Sequence, residues 1–186
     1  TGAFKAIEHK ADIVGIIILA TITGVAGGTI RDIILGKTLP NSLVDPIYVI
    51  ITIISAIVLF FLYSKLRQHW NVFLKFDALG LGIFTVIGAT FAYNLVGMNF
   101  LVIVLSGMLT AIGGGILRDI FVNQTPIVFV KELYASASFI GAVLFYLTLL
   151  ITNEIYAATI IGMVITTVLR LVAMKYNWNL PKVKSR

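Results

Sequence analysis

The string Gly27-Gly28-Thr29-Ile30-Arg31-Asp32 returns 87 residues later as Gly114-Gly115-Ile116-Leu117-Arg118-Asp119, and each copy closes a long apolar run. A cation beside an anion is expensive at membrane depth, and a glycine pair weakens a helix, so even one copy needs a reason. Two copies at matched positions predict a duplicated membrane unit whose glycine-broken helices build a polar path.

Only 12% of the residues are charged and 59% are hydrophobic, with a mean hydropathy of +1.03. Soluble domains carry about a quarter charged residues, so this chain lacks the charge to cover a water-facing surface. Apolar runs of about 18 residues or more recur, each enough to cross a hydrocarbon core of about 30 Å. Six complete spans are predicted, at 12–36, 43–64, 77–96, 99–122, 127–151 and 154–175. The absence of cysteine excludes disulfides, thiolate nucleophiles and Cys-based metal centres. His9 and His69 stand in hydrophilic connections without a second ligand nearby, which argues against a metal site.

Thr1-Gly2-Ala3-Phe4 is similar to Gly88-Ala89-Thr90-Phe91, inside the run 77–96. On that match residues 1–8 are the tail of a span that begins upstream. The expected fold is therefore an all-α polytopic membrane protein of seven transmembrane helices. Its parts are a first three-helix repeat over 1–65, a second over 77–151, a seventh helix at 154–175 and a basic cytoplasmic tail at 176–186. An odd number of spans per repeat places the two copies in opposite orientations. Lysine and arginine placement agrees: Lys5, Lys10, Lys65, Arg67, Lys75, Arg118, Lys131, Arg170, Lys175, Lys182, Lys184 and Arg186 fall on one side, and only Arg31 and Lys37 on the other. Basic residues collect on the cytoplasmic face, so the C-terminus is expected there. The net charge of +6 is read as this orientation signal and not as a nucleic-acid surface.

Helical spacing puts Thr23, Gly27 and Arg31 on one face, and Thr110, Gly114 and Arg118 on another. Gly27, Gly28, Gly113, Gly114 and Gly115 are expected to kink their helices and free carbonyls, with Thr23, Ser106 and Thr110 adding hydroxyls. The alternative is tight helix packing, the usual work of membrane glycines. Arg31 and Arg118 stay charged and need partners, for which Asp32 and Asp119 are at hand; each pair reads either as a structural clamp or as a pore-mouth charge. Asp77 reads as the N-cap of its span or as a vestibule carboxylate, and Asp12 likewise. Lys131-Glu132 is expected to be a membrane-depth ion pair, with an anionic lipid headgroup as the alternative. Arg170 is expected to snorkel to the cytoplasmic face, with a lipid phosphate or an intersubunit contact open. Phe84, Phe91 and Phe121 are packing residues or an apolar gate.

The paired Gly-Gly-x-x-Arg-Asp strings, Asp77-Ala78-Leu79-Gly80 and Glu132-Leu133-Tyr134-Ala135 together resemble the prokaryotic trimeric intracellular cation (TRIC) channels, which overlap a bacterial group described as glycine transporters. The resemblance covers essentially the whole chain. It implies inverted three-plus-three repeats, a homotrimer in membrane lipid, and a potassium-permeable pore in each protomer lined by the glycine-bearing helices. Potassium is then the permeant ion, no cofactor is needed, and a bound phospholipid is the one other ligand to consider. No Thr-Val-Gly-Tyr-Gly filter is present, so a partly hydrated cation is expected to pass. The rival reading is a secondary carrier of glycine or another small amino acid, with helix termini holding a substrate carboxylate. A non-conducting assembly protein would leave the duplicated Arg-Asp pairs without purpose. An enzyme is not expected, because no nucleophile, base or metal cluster accompanies the few carboxylates.

Overall fold

The computed structural model describes residues 1–130 and 133–178. Its helices are α1 (Gly2–Glu8), α2 (Ile13–Ile34), α3 (Asn41–Val44), α4 (Ile47–Leu66), α5 (Trp70–Val96), α6 (Phe100–Phe121), α7 (Ile127–Val130), α8 (Ala135–Thr152) and α9 (Ile155–Tyr176). Six of them are long and apolar enough to cross a membrane. A length of 22 residues gives α2 and α6 about 33 Å each, enough for the hydrocarbon core.

The duplication is visible at both ends of α2 and α6. Asp12 caps α2 by accepting the Gly15 amide at 2.7 Å, and Asn99 caps α6 by accepting the Val102 amide at 3.2 Å. The caps satisfy amides that the first turn leaves without partners. At the far ends Lys37 N donates to the Asp32 carbonyl and Gln124 N to the Asp119 carbonyl, both at 2.9 Å. Gly36 (φ 75°) and Asn123 (φ 54°) hold the left-handed position that this closing turn needs. Caps and exits thus recur on the offset of 87 residues.

α6 is central, packed against α2, α5 and α8, and α9 closes on α5 and α8. Two apolar clusters lie one in each half. The first gathers Phe4, Ile16, Leu19, Ala56 and Leu59; the second gathers Val86, Ala89, Ile103, Phe145 and Leu149. On α4 the stripe Ile50, Ile54, Val58 and Phe61 faces outward, as a helix in lipid requires.

Three expected boundaries are corrected. The run 43–64 is cut by Pro46 into α3 and α4, because proline restricts the residue before it to an extended backbone. The run 127–151 holds a short α7, and its crossing helix starts at Ala135. The run 77–96 starts earlier, at Trp70, so Asp77 lies inside α5 and is not its N-cap. Apolar residues among the charges of 64–75 carry the helix back to Trp70, where hydropathy alone reads a linker. Lys131, Glu132 and the basic residues of the tail from 179 onward lie outside the described residues.

Candidate functional site

α2 and α6 remain helical through their glycines, whose first effect is close approach. A Cβ on Gly27 would stand 2.2 Å from the Thr110 carbonyl oxygen, and one on Gly114 would stand 2.1 Å from that of Thr23. A Cβ on Gly113 would come within 3.0 Å of the Gly27 Cα. Backbone meets backbone with no side chain between. The pairing is reciprocal, Gly27 with Thr110 and Thr23 with Gly114, and its sense is antiparallel. Small residues are what allow such contact in lipid, where apolar burial gives no advantage over lipid tails.

Gly28 and Gly115 behave differently. Added Cβ atoms there would meet only the Nη2 atoms of Arg31 and Arg118, at 3.7 and 3.8 Å. Both glycines border a cavity of about 970 Å³ that also touches Thr23, Gly27, Thr110 and Gly114. Thr23 donates to the Leu19 carbonyl at 2.6 Å and Thr110 to the Ser106 carbonyl at 2.7 Å, and Thr110 Oγ1 also accepts from Arg31 Nη1 at 3.5 Å. Ser106 and Gly113 are buried in helix packing and do not border the cavity. Phe84 and Phe91 do border it, whereas Phe121 is exposed on the outside.

The Arg-Asp pairs stand near the two ends of this space. Asp32 Oδ1 accepts from Arg31 Nε at 2.9 Å and Nη2 at 2.7 Å, and its Oδ2 accepts the Asn41 amide at 2.7 Å. Asp119 repeats this plan. Its Oδ1 accepts from Arg118 Nε at 2.9 Å and its Oδ2 accepts the Ile127 amide at 2.9 Å. Asn41 and Ile127 are the first residues of α3 and α7. Each aspartate therefore binds its arginine and pins the short helix that follows. All four side chains are buried. The Arg31 guanidinium also lies 4.1 Å from the Phe91 ring centroid, and Arg118 Nη1 reaches Thr1 Oγ1 at 3.1 Å.

The end near Arg118 carries more groups than its counterpart. Asp77 and Tyr134 border both the large cavity and a neighbouring one of about 40 Å³, together with Thr1, Phe73, Gly115 and Arg118. A space of that size has room for about one water. Desolvation and the Asp77 carboxylate push the Tyr134 phenol above its ordinary value, and its hydroxyl bonds to Asp77. The phenol therefore keeps its proton and is the donor. The Arg170 guanidinium lies 4.7 Å from the Tyr134 ring centroid, with only 3% of the residue exposed. The expected snorkelling of Arg170 is corrected: the side chain is buried, with the Tyr134 ring beside its guanidinium.

Sequence reasoning missed the pinned amides, the ring beneath Arg31 and the meeting of Tyr134 with Asp77. One signal was available for the first. Pro40 precedes Asn41 and Pro126 precedes Ile127, so each Arg-Asp pair is followed at a similar distance by a proline that opens a short helix. The Asp77 to Tyr134 contact joins two elements far apart in the chain, and no local pattern announces it.

Residues 1–64 and 74–149 match the family described as glycine transporter. An inner membrane protein of Escherichia coli, YadS, is 31% identical over 185 residues, with 97% of this chain and 88% of that protein covered. A membrane protein of Deinococcus radiodurans is 35% identical over 144 residues, which span 76% of this chain and 66% of that protein. A solved structure of a TRIC cation channel, studied for its conductance, matches with a TM-score of 0.94 at 34% identity, covering 100% of this chain and 91% of that one. The TRIC orthologue from Rhodobacter sphaeroides, a trimeric intracellular cation channel, gives 0.89 at 30% identity, covering 95% and 91%. Six crossing helices, the buried Arg-Asp pins and these likenesses agree: the chain is a multi-pass membrane protein that belongs to the glycine-transporter family, in the group of the TRIC cation channels.

Proposed function

We propose that this protein is a potassium-permeable cation channel, a homotrimer in which each protomer has its own conduction path between α2 and α6. The observation that carries this reading is the cavity of about 970 Å³ bordered by both glycine pairs and by both arginines of the repeated motif. Its walls offer threonine hydroxyls and backbone, and no rigid ring of carbonyls, so potassium passes partly hydrated and selection over sodium is weak.

The path is read as lying between two inverted repeats. In support, α2 and α6 share caps, exits and a reciprocal antiparallel contact. Gly2 also sits against the Leu19 carbonyl as Gly88 sits against that of Ser106, at 2.6 and 2.4 Å from an added Cβ, so α1 stands to α2 as the end of α5 stands to α6. On that reading α1 ends the first helix of a seven-helix plan and the C-terminus is cytoplasmic, which the lysine and arginine bias supports.

Single-channel recording of the purified protein under a potassium chloride gradient tests this. Discrete openings that reverse near the potassium equilibrium potential are expected in wild type. Gly115→Leu, whose side chain would enter the cavity and not the helix contact, should give folded protein with conductance reduced at least about tenfold. Silence in wild type, together with saturable glycine uptake into liposomes, would replace the channel with a carrier.

A further inference from the structure

We propose that Asp77 sets the charge preference of the pore, acting among the described residues as its one cation-attracting side chain. The proposal rests on the channel reading and assigns its selectivity to a residue that the repeat does not supply. Among the described residues two carboxylates border the large cavity, Asp32 and Asp77. Asp32 is 1% exposed and both of its oxygens are taken, one by Arg31 and one by the Asn41 amide. Nothing of its charge is left to offer an ion. Asp77 is half-buried, lies two turns inside α5, and takes a hydrogen bond from Tyr134.

Position supports the assignment. Asp77 stands in the wall shared by the large cavity and the small one. The neighbouring cations are already engaged. Arg118 is held by Asp119 at 2.9 Å, and Arg170 lies on the Tyr134 ring. Near the opposite end the one carboxylate that borders the cavity among the described residues is Asp32, and Arg31 holds it at 2.7 Å. A passage with this charge distribution favours cations only if Asp77 does the attracting. A fixed charge in a narrow low-dielectric cleft raises the local counter-ion concentration about tenfold or more.

The test is the reversal potential in a potassium chloride gradient for wild type, Asp77→Asn, Asp77→Glu and Tyr134→Phe. Asp77→Asn should lower the potassium-to-chloride permeability ratio about tenfold, and Asp77→Glu should keep it. Tyr134→Phe removes the hydrogen bond and leaves the charge, so cation preference should persist; if it fell as far as in Asp77→Asn, a merely structural role for Asp77 would be indicated and the proposal overturned. Unchanged selectivity in Asp77→Asn, in a wild type that conducts, overturns the Asp77 assignment alone. No wild-type current overturns the channel reading and takes the assignment with it. Should Asp77→Asn fail to fold, wild-type conductance decides the matter. Enrichment by a fixed charge predicts less than proportional growth between about 50 mM and about 1 M salt, because screening shortens to about 3 Å. Strict proportionality would overturn the proposal.

Discussion

Alanine at Gly27 or Gly114 is expected to lower the melting temperature of the protein by roughly 10 °C, while alanine at Gly28 or Gly115 changes it by no more than about 2 °C. The two glycines of each pair are adjacent in sequence and alike in helix propensity, so propensity cannot separate them. Packing does. The new methyl at Gly27 or Gly114 would stand 2.2 or 2.1 Å from a carbonyl oxygen of the facing helix. The obstacle is backbone and has no rotamer to change, so the helices must part along their whole contact. Overpacking of this kind destabilises by about 3 kcal/mol where the surroundings cannot yield. At Gly28 and Gly115 the methyl meets an arginine nitrogen at ordinary contact distance and otherwise faces the cavity. Thermal unfolding of the four purified variants in one detergent is the measurement. Equal losses at all four positions would mean that the glycines act through backbone flexibility and not through approach.

That contrast marks how far the sequence was readable. A repeat of six residues with matching spacing identifies the paired helices, because apolar length and polar exceptions are local facts. Asp12 as a cap and the Arg-Asp partnership were legible for the same reason: partner and residue lie within one turn. Of the two readings open to Asp77, the cap fails because the start of α5 depends on apolar residues threaded among the charges of 64–75, and hydropathy averages them away. The work of Asp32 and Asp119 was only half readable. Sequence shows the arginine next door, but the Asn41 and Ile127 amides arrive through a turn whose closure depends on tertiary packing. Sequence points Arg170 outward because a lone cation near a span end usually snorkels. Its aromatic partner comes from the start of α8, and no periodicity in α9 reveals it.

Asp32→Ala should be the most damaging single substitution in the protein, with a loss of about 4 kcal/mol and little recoverable folded material. It leaves the buried Arg31 guanidinium without its carboxylate, and it leaves the Asn41 amide at the start of α3 without an acceptor. Removing one partner of a buried ion pair costs about 3–5 kcal/mol, whereas replacing both by apolar residues of similar size is often nearly neutral. The double variant Arg31→Met with Asp32→Leu should therefore recover most of the stability, short of about 1–3 kcal/mol for the orphaned amide. Asp119→Ala should be the milder of the two aspartate variants. Arg118 gives Asp119 one hydrogen bond where Arg31 gives Asp32 two, and Arg118 keeps the Asp77 carboxylate nearby after the change. Melting temperature and monodisperse yield separate these cases. If Asp32→Ala and Asp119→Ala both match wild type in stability and lose only conductance, the aspartates are charges at the mouths of the path. The expected order, with Asp32→Ala lowest, Asp119→Ala next and the apolar double variant above both, follows from their work as pins that join each repeated helix to the segment after it.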